Sequence, residues 1–174
     1  MLADVIDELK GESVKARIDT EIKLPLSANI PKTYIPEEGR RLQLYRSIFG
    51  ASDDGALEAL SNQTRDQFGA LPEHVLLLFA VARLKQKLQA VGVTRFAQGK
   101  GQLIEVQFGA DKMKSKALDK LLNTIRKNAN IYQIAPKNRI FIRFDFPHNQ
   151  PVERQSEFLA ALSQLIDPLV VAIT

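Results

Sequence analysis

The chain has 174 residues, of which 45% are hydrophobic and 25% charged, and its formal net charge is +4. A chain of this length buries roughly 70% of its unfolded surface, which allows one domain with a sizeable core. The lack of cysteine excludes disulfides and thiolate sites, and two histidines (His74 and His148) are too few for a multi-histidine metal centre. No apolar run approaches the ~20 residues of a membrane span, and the acidic amino terminus does not resemble a signal peptide. We therefore expect a soluble, cytoplasmic domain.

The first thirty residues predict a helix followed by a strand. Residues 1–10 carry apolar side chains at helical spacing and lack an N-cap, which predicts a helix that is part of a longer protein. From Ile18 to Ala28 apolar and polar residues alternate, and Pro25 within this run confines it to an edge strand or an extended arm.

Three helices are predicted between residues 37 and 92. The first begins at Glu37–Glu38 and ends at Gly50, and the second is predicted to start after Ser52 as its N-cap and to end at Gly69. The third, from Val75 to Val91, is the most apolar stretch of the chain, which predicts the central helix of a helical core.

The second half alternates strand-like and helical patterns. Strands are predicted at 93–97, 103–108, 131–134 and 139–144, and helices at 115–128 and 153–166, followed by an apolar tail at 169–173. In the first of these helices the residues expected to face inward are Leu118, Leu121, Leu122 and Ile125. The fold class is thus α+β: a helical half (about 37–92) packed with a small mixed or antiparallel sheet plus helices (about 93–168).

Charge is distributed unevenly along the chain. Residues 1–87 carry 12 Lys and Arg against 13 Asp and Glu, whereas residues 88–174 carry 12 against 7. Between residues 112 and 143 Asp119 is the only acid, and the basic residues are Lys112, Lys114, Lys116, Lys120, Arg126, Lys127, Lys137, Arg139 and Arg143. Such a run is more often a solvated face, but it could meet phosphate or an acidic protein surface. A small nucleic-acid-binding module using residues 112–143 is therefore the alternative function.

No constellation for catalysis stands out. The chain has no P-loop, G-x-G-x-x-G, H-E-x-x-H or G-x-S-x-G pattern. The adjacent carboxylates Glu37–Glu38 and Asp53–Asp54 sit at predicted helix starts, where they complement the helix dipole. We expect no catalytic residue, metal ligand or cofactor in this chain.

Two sequence blocks carry a family resemblance. Tyr34-Ile35-Pro36-Glu37-Glu38, with Arg41-Leu42-Gln43-Leu44-Tyr45-Arg46, resembles the Y-I-P-D-E…R-L-x-L-Y-K pattern of the C-terminal (TRCF) domain of bacterial transcription-repair coupling factors, the Mfd family. Asp66-Gln67-Phe68-Gly69-Ala70-Leu71-Pro72 is similar to the D-R-F-G-x-L-P of that family, and Ala82-Arg83-Leu84-Lys85 and the strand Glu21-Ile22-Lys23-Leu24 match as well. The resemblance covers residues 1–170, with the specific blocks within 21–93.

The resemblance implies a regulatory module rather than an enzyme. The full-length family member is an ATP-driven DNA translocase of the helicase superfamily that displaces stalled RNA polymerase and recruits UvrA. Its C-terminal domain folds back onto the N-terminal UvrA-binding module and masks it. By this resemblance residues 1–20 are a connector helix and linker from the motor domain. Residues 21–174 are the regulatory domain, with residue 92 as the place where two lobes could divide. We expect a bacterial, cytoplasmic protein and a monomeric fragment without a cofactor.

The resemblance also indicates interaction residues. The masking contact of the family uses carboxylates on the helix that ends in D-R-F-G, and Asp66 stands at the matching aspartate. Gln63 replaces the usual glutamate one turn earlier, and Gln67 replaces the arginine that follows the aspartate. The candidate interaction residues are thus Asp66, Gln63 and Gln67, and the candidate basic patch comprises Lys112, Lys114, Lys116, Lys120, Arg126 and Lys127.

Overall fold

A computed structural model describes residues 19–109, 115–145 and 150–174 of the chain. In these residues five helices and five strands follow one another in the order β1 (Glu21–Lys23), α1 (Glu38–Gly50), α2 (Asp54–Phe68), α3 (Glu73–Ala90), β2 (Val93–Gln98), β3 (Leu103–Phe108), α4 (Ser115–Lys127), β4 (Tyr132–Ala135), β5 (Arg139–Arg143) and α5 (Val152–Ile173). The α+β class predicted from the sequence is confirmed.

The five strands form one mixed sheet in the order β1-β2-β3-β5-β4. β1 pairs in parallel with β2 and is an edge strand, as Pro25 predicts, whereas the β2–β3, β3–β5 and β4–β5 pairs are antiparallel. Residues 136–138 connect β4 to β5, and Lys137 and Asn138 adopt positive φ angles of 62° and 56° there.

Two hydrophobic clusters form the core, and α3 contributes to both. The larger cluster packs Leu77, Leu84 and Leu88 of α3 against the sheet, α4 and α5. The smaller cluster packs other residues of α3, among them Val75 and Phe79, against α1, α2 and the preceding loop. The sequence predicts this central place for α3, because its apolar residues cover most of the helix circumference.

Three details of the prediction were wrong. Asp53, not Ser52, caps α2, because its carboxylate accepts the Ala56 N–H at 2.7 Å. Leu118 is 38% exposed instead of buried, since the inward face of α4 is centred on Leu121 and Ile125. The apolar tail at 169–173 belongs to α5, which continues through Pro168 because Leu169 and Ala172 keep the helical spacing of its buried face.

α5 is long and apolar enough, by length and composition alone, to cross a membrane. Core helices of globular proteins pass the same test, and Leu159, Leu162 and Ile166 of α5 are buried in the larger cluster. The predicted connector helix at residues 1–10, and residues 1–18 generally, lie outside the described residues.

Candidate protein-interaction site on helix α2

Both ends of α2 are fixed by local sequence. The Asp53 carboxylate caps the first turn, and Gly69 ends the helix with a φ of +92° while its N–H donates to the Arg65 carbonyl oxygen at 2.8 Å. A φ in this range is strained for any residue with a side chain beyond hydrogen, which is why a glycine occupies the position. The C-terminal end of α2 is therefore set in one orientation.

Tyr34 braces this end of α2 from the loop before α1. Its hydroxyl donates to the Gly69 carbonyl oxygen at 2.8 Å, and its ring packs on Phe68 with the centroids 6.0 Å apart. Burial raises the pKa of Tyr34, and the nearby charge of Arg65 lowers it to a lesser extent. The two sequence blocks that carry the family resemblance thus meet in space.

The loop that carries Tyr34 is held by Arg41 of α1. The Arg41 guanidinium Nη1 donates to the Ile35 carbonyl oxygen at 2.9 Å and to the Pro36 carbonyl oxygen at 2.7 Å. Two charge-assisted bonds from one nitrogen fix consecutive peptide groups. The role of Arg41 was not predicted, because the sequence shows its block but not its partners.

Asp66 lies on the face of α2 that points away from the core. Leu57 and Thr64 are buried, and at 100° per residue Asp66 stands about 180° from Leu57 around the helix. Its side chain is exposed, and none of the described residues forms an ion pair with it. The carboxylate is therefore available to a cation from outside the domain.

Gln63 and Gln67 are also exposed, but they lie on the side of α2 that faces α1. Both line a groove of about 300 Å³ between α1 and α2, whose lining includes Arg40 as the only charged residue. A partner lying along α2 would meet the Asp66 carboxylate on the solvent face and neutral amides beside Arg40 on the flank. The structure thus brings Gln63 and Gln67 together and places Asp66 next to them on the outer face.

The candidate basic patch lies far along the chain, on α4. Lys116, Lys120, Arg126 and Lys127 are exposed, whereas Lys112 and Lys114 lie outside the described residues. Lys116, Lys120 and Lys127 form a stripe within about 40° of arc, roughly opposite the buried Leu121 and Ile125. A lysine stripe on the face opposite the core is the ordinary pattern of a solvated amphipathic helix.

The described part of the chain contains no cluster of side chains that could bind a metal ion. There, no three His, Asp or Glu side chains converge in a way that could hold a metal ion. His74 Nδ1 donates to the Ser27 carbonyl oxygen at 2.7 Å and so joins α3 to the segment after β1. His148 lies outside the described residues.

Comparison with known proteins places the chain in a family. A family model described as the TRCF domain matches residues 24–119. The chain belongs to the TRCF domain family. The candidate interaction residues Gln63, Asp66 and Gln67 all lie inside the matched range.

Two relatives of this chain are bacterial proteins that are much longer than the part they share with it. The transcription-repair-coupling factor of Escherichia coli (strain K12) is 31% identical over 111 residues, covering 60% of this chain and 10% of the relative. That of Mycobacterium bovis is 40% identical over 76 residues, covering 44% of this chain and 6% of the relative. The chain therefore spans a tenth or less of the length of these two curated relatives.

A solved structure shares the fold of the TRCF domain. The crystal structure of a C-terminal domain of a transcription-repair coupling factor has a TM-score of 0.66 and 22% sequence identity, and it covers 90% of this chain and 97% of its own. The chain therefore shares the fold of that C-terminal domain over 90% of its residues.

Proposed function

We propose that this TRCF domain is the non-catalytic regulatory module of a transcription-repair coupling factor. The full-length protein would be an ATP-driven DNA translocase that displaces stalled RNA polymerase and recruits UvrA. In its resting state, α2 would mask the UvrA-binding module of the same protein through an intramolecular contact centred on Asp66. Gln63 and Gln67 would form the rim of that contact.

The observation that carries this proposal is the exposed Asp66 carboxylate on α2, which forms no ion pair with any described residue. The Asp53 cap, the Gly69 turn and the Tyr34 brace hold α2 in place, so that presenting Asp66 to a partner costs little conformational entropy. A carboxylate that stabilises nothing within the described domain is free to serve an external contact.

A contact of this kind suits a switch. Exposed ion pairs contribute about 0.2–1 kcal/mol each, so that a masking surface built on one carboxylate and two amides can open without a large cost. A partner that competes for the masked surface then shifts the population by the difference between its affinities for the open and masked states.

The test is a binding experiment with the Asp66→Ala variant of the full-length protein. We expect UvrA binding to rise several-fold, because the masked state loses one of its charge contacts. The melting temperature of the isolated domain should stay nearly constant, since an exposed side chain without a partner contributes little to stability. The matched control is Glu58→Ala, which removes another exposed carboxylate of α2 about 80° away around the helix.

Two outcomes would overturn the proposal. Unchanged UvrA binding in Asp66→Ala would place the masking surface elsewhere, and a large loss of domain stability would make Asp66 a structural residue. A DNA titration of the isolated domain at two salt concentrations serves as a parallel measurement. Steeply salt-dependent DNA binding without binding to the UvrA-binding module would instead favour the lysine stripe of α4 as the working surface.

The proposal also covers activity and setting. We expect the isolated domain to be a monomer that turns over no ATP and needs no cofactor, since the motor of the full-length protein would lie upstream. We expect the protein to work in the bacterial cytoplasm. ATP turnover by the purified domain, in material shown to lack contaminating motor protein, would contradict the non-catalytic part.

A further inference from the structure

The outer edge of β4 is unpaired in the part of the chain that the structure describes. β4 ends the sheet order β1-β2-β3-β5-β4, and its partner there is β5 alone. Edge strands are usually protected by charges, by proline or by a covering element, because their open backbone groups pair with other chains. β1 at the opposite edge follows this rule with Glu21, Lys23 and the adjacent Pro25, whereas β4 (Tyr-Gln-Ile-Ala) carries no charge.

The ladder leaves the backbone of Ile134 directed outward. The Arg143 N–H donates to the Ile131 carbonyl oxygen at 2.7 Å, which makes this opposed pair a hydrogen-bonded one. Hydrogen-bonded and non-bonded pairs alternate in an antiparallel ladder, so Gln133 and Ala135 bond to β5 while Tyr132 and Ile134 direct their backbone groups to the other side. The Tyr132 N–H is satisfied by the Asn128 carbonyl oxygen at 3.0 Å. The N–H and carbonyl of Ile134 thus lie at the open edge of the sheet, where no described strand pairs with them.

An apolar groove runs beside this edge, between α4 and the β4–β5 hairpin. It has a volume of about 440 Å³, and Leu118, Leu122 and Ile134 are among its lining residues. Ile134 is 52% exposed and Leu118 38% exposed, although both are large apolar side chains. Exposing half of the surface of an isoleucine to water is unfavourable in an isolated domain. Beside an open strand edge, such exposure is typical of a docking surface.

The described charged residues that line the grooves beside β4 are all cationic. A second groove of about 430 Å³ adjoins the N-terminal end of β4, and its charged lining residues are Arg126 and Arg143. The charged lining residues of the first groove are Lys137 and Arg139. Among the described residues that line the two grooves, four are cationic and none is a carboxylate, so the surface favours an acidic partner.

We propose that β4 and α4 form a docking site for an extended, acidic segment of another protein, which adds to the sheet as a sixth strand beside β4. Apolar side chains at alternate positions of the segment enter the groove between Ile134 and Leu118. The intervening acidic side chains lie near the cationic rim. Backbone hydrogen bonds to Ile134 provide affinity, and the alternation provides specificity. This site is separate from α2 and independent of the masking role proposed for Asp66.

The test uses a peptide of nine residues that carries fluorescein on its N-terminal amine, fluorescein-EVEVTVEVE-amide, and fluorescence anisotropy with this chain. We expect saturable binding, and at least tenfold weaker binding when every glutamate of the peptide is replaced by lysine. Ile134→Pro should weaken binding of the acidic peptide at least tenfold, because it removes the outward N–H while leaving the bonds to β5 in place. Leu118→Glu should have a similar effect without touching any strand, because it places a carboxylate in the apolar groove beside the acidic peptide.

The matched control is Gln133→Lys, which adds a charge to the same strand on the opposite face of the sheet and should bind the peptide at least as well as the wild type. Asp66→Ala should also bind normally, which separates this proposal from the masking function. Circular dichroism melting of each variant checks that the fold is retained. Wild-type binding by both Ile134→Pro and Leu118→Glu, or equal binding of the lysine peptide, would overturn the proposal. Concentration-dependent dimerisation that Leu118→Glu abolishes would overturn it as well, by making a second copy the occupant.

Discussion

Asp53 shows how much one residue decides about a helix start. The sequence predicts Ser52 as the N-cap of α2, but the neighbouring Asp53 is also a residue type that caps helices well. In the structure the Asp53 carboxylate accepts the Ala56 N–H at 2.7 Å, so the helix begins at Asp54. Which neighbour caps depends on the direction in which the chain leaves α1, and this direction is set by tertiary packing.

Asp53→Ala is expected to lower the free energy of unfolding by about 1 kcal/mol, because an exposed backbone N–H loses its acceptor. Ser52→Ala, one residue earlier, should change it by less than about 0.5 kcal/mol. Urea denaturation followed by circular dichroism measures both. Equal losses for the two variants would mean that the cap is shared between the two side chains.

Tyr132 gives a pH-dependent prediction at the same scale. Burial raises the pKa of its phenol above the ordinary value of 10.0, and its hydroxyl donates to the Leu165 carbonyl oxygen of α5 at 2.6 Å. Because the folded-state pKa is the higher one, the stabilisation is complete below about pH 10 and is lost as the pH rises through the folded-state value.

Tyr132→Phe should therefore be less stable than the wild type near neutral pH, by about 0.5–1.5 kcal/mol for the lost hydrogen bond. The difference should shrink above about pH 10, where the wild type loses stability and phenylalanine does not titrate. Chemical denaturation at several pH values between about 7 and 11 tests this, and a constant difference across that range would contradict it.

At the scale of elements, the turn at Gly69 connects α2 to α3 and holds the Asp66 helix in position. Gly69→Ala is expected to destabilise the domain by more than about 1 kcal/mol, because its φ of +92° is strained for alanine. Gly39→Ala in α1 is the matched control: a Cβ there would meet no atom within 4 Å, so helix propensity should make it neutral or stabilising by up to about 1 kcal/mol. Similar melting temperatures for the two variants would argue against strain at Gly69.

Elements differ in how far their sequence predicts them. Glycines predict the C-terminal ends of α1, α2 and α3 to within two residues. The alternation of apolar and polar residues predicts β3 as Leu103–Phe108. The prediction that Leu118 faces inward was wrong. The pattern of apolar residues on α4 allows more than one inward direction, and only packing selects between them. Asp66 shows the same limit: helical period and charge predict its exposure, but the sequence of this chain does not contain the partner it would contact.

For the whole molecule, the sharing of α3 between the two clusters predicts cooperative unfolding. Leu77 belongs to the larger cluster and Phe79 to the smaller, two residues apart on one helix. Leu77→Ala should cost about 2–5 kcal/mol, and amide hydrogen exchange should rise in α1 and α2 as well as in the sheet. Faster exchange confined to the sheet would instead show that the two parts on either side of residue 92 unfold separately.

The parallel pairing of β1 with β2 has a consequence for how the chain acquires its structure. The Thr20 hydroxyl donates to the Val93 carbonyl oxygen at 2.6 Å, across a separation of 73 residues, and the three helices α1, α2 and α3 lie between. A chain growing on the ribosome cannot make this contact until β2 has been synthesised and has left the exit tunnel. The loop that must then close is long, and such non-local pairings are slow to form. β1 is therefore expected to be among the last of the described elements to dock, after the helices between it and β2 have begun to pack.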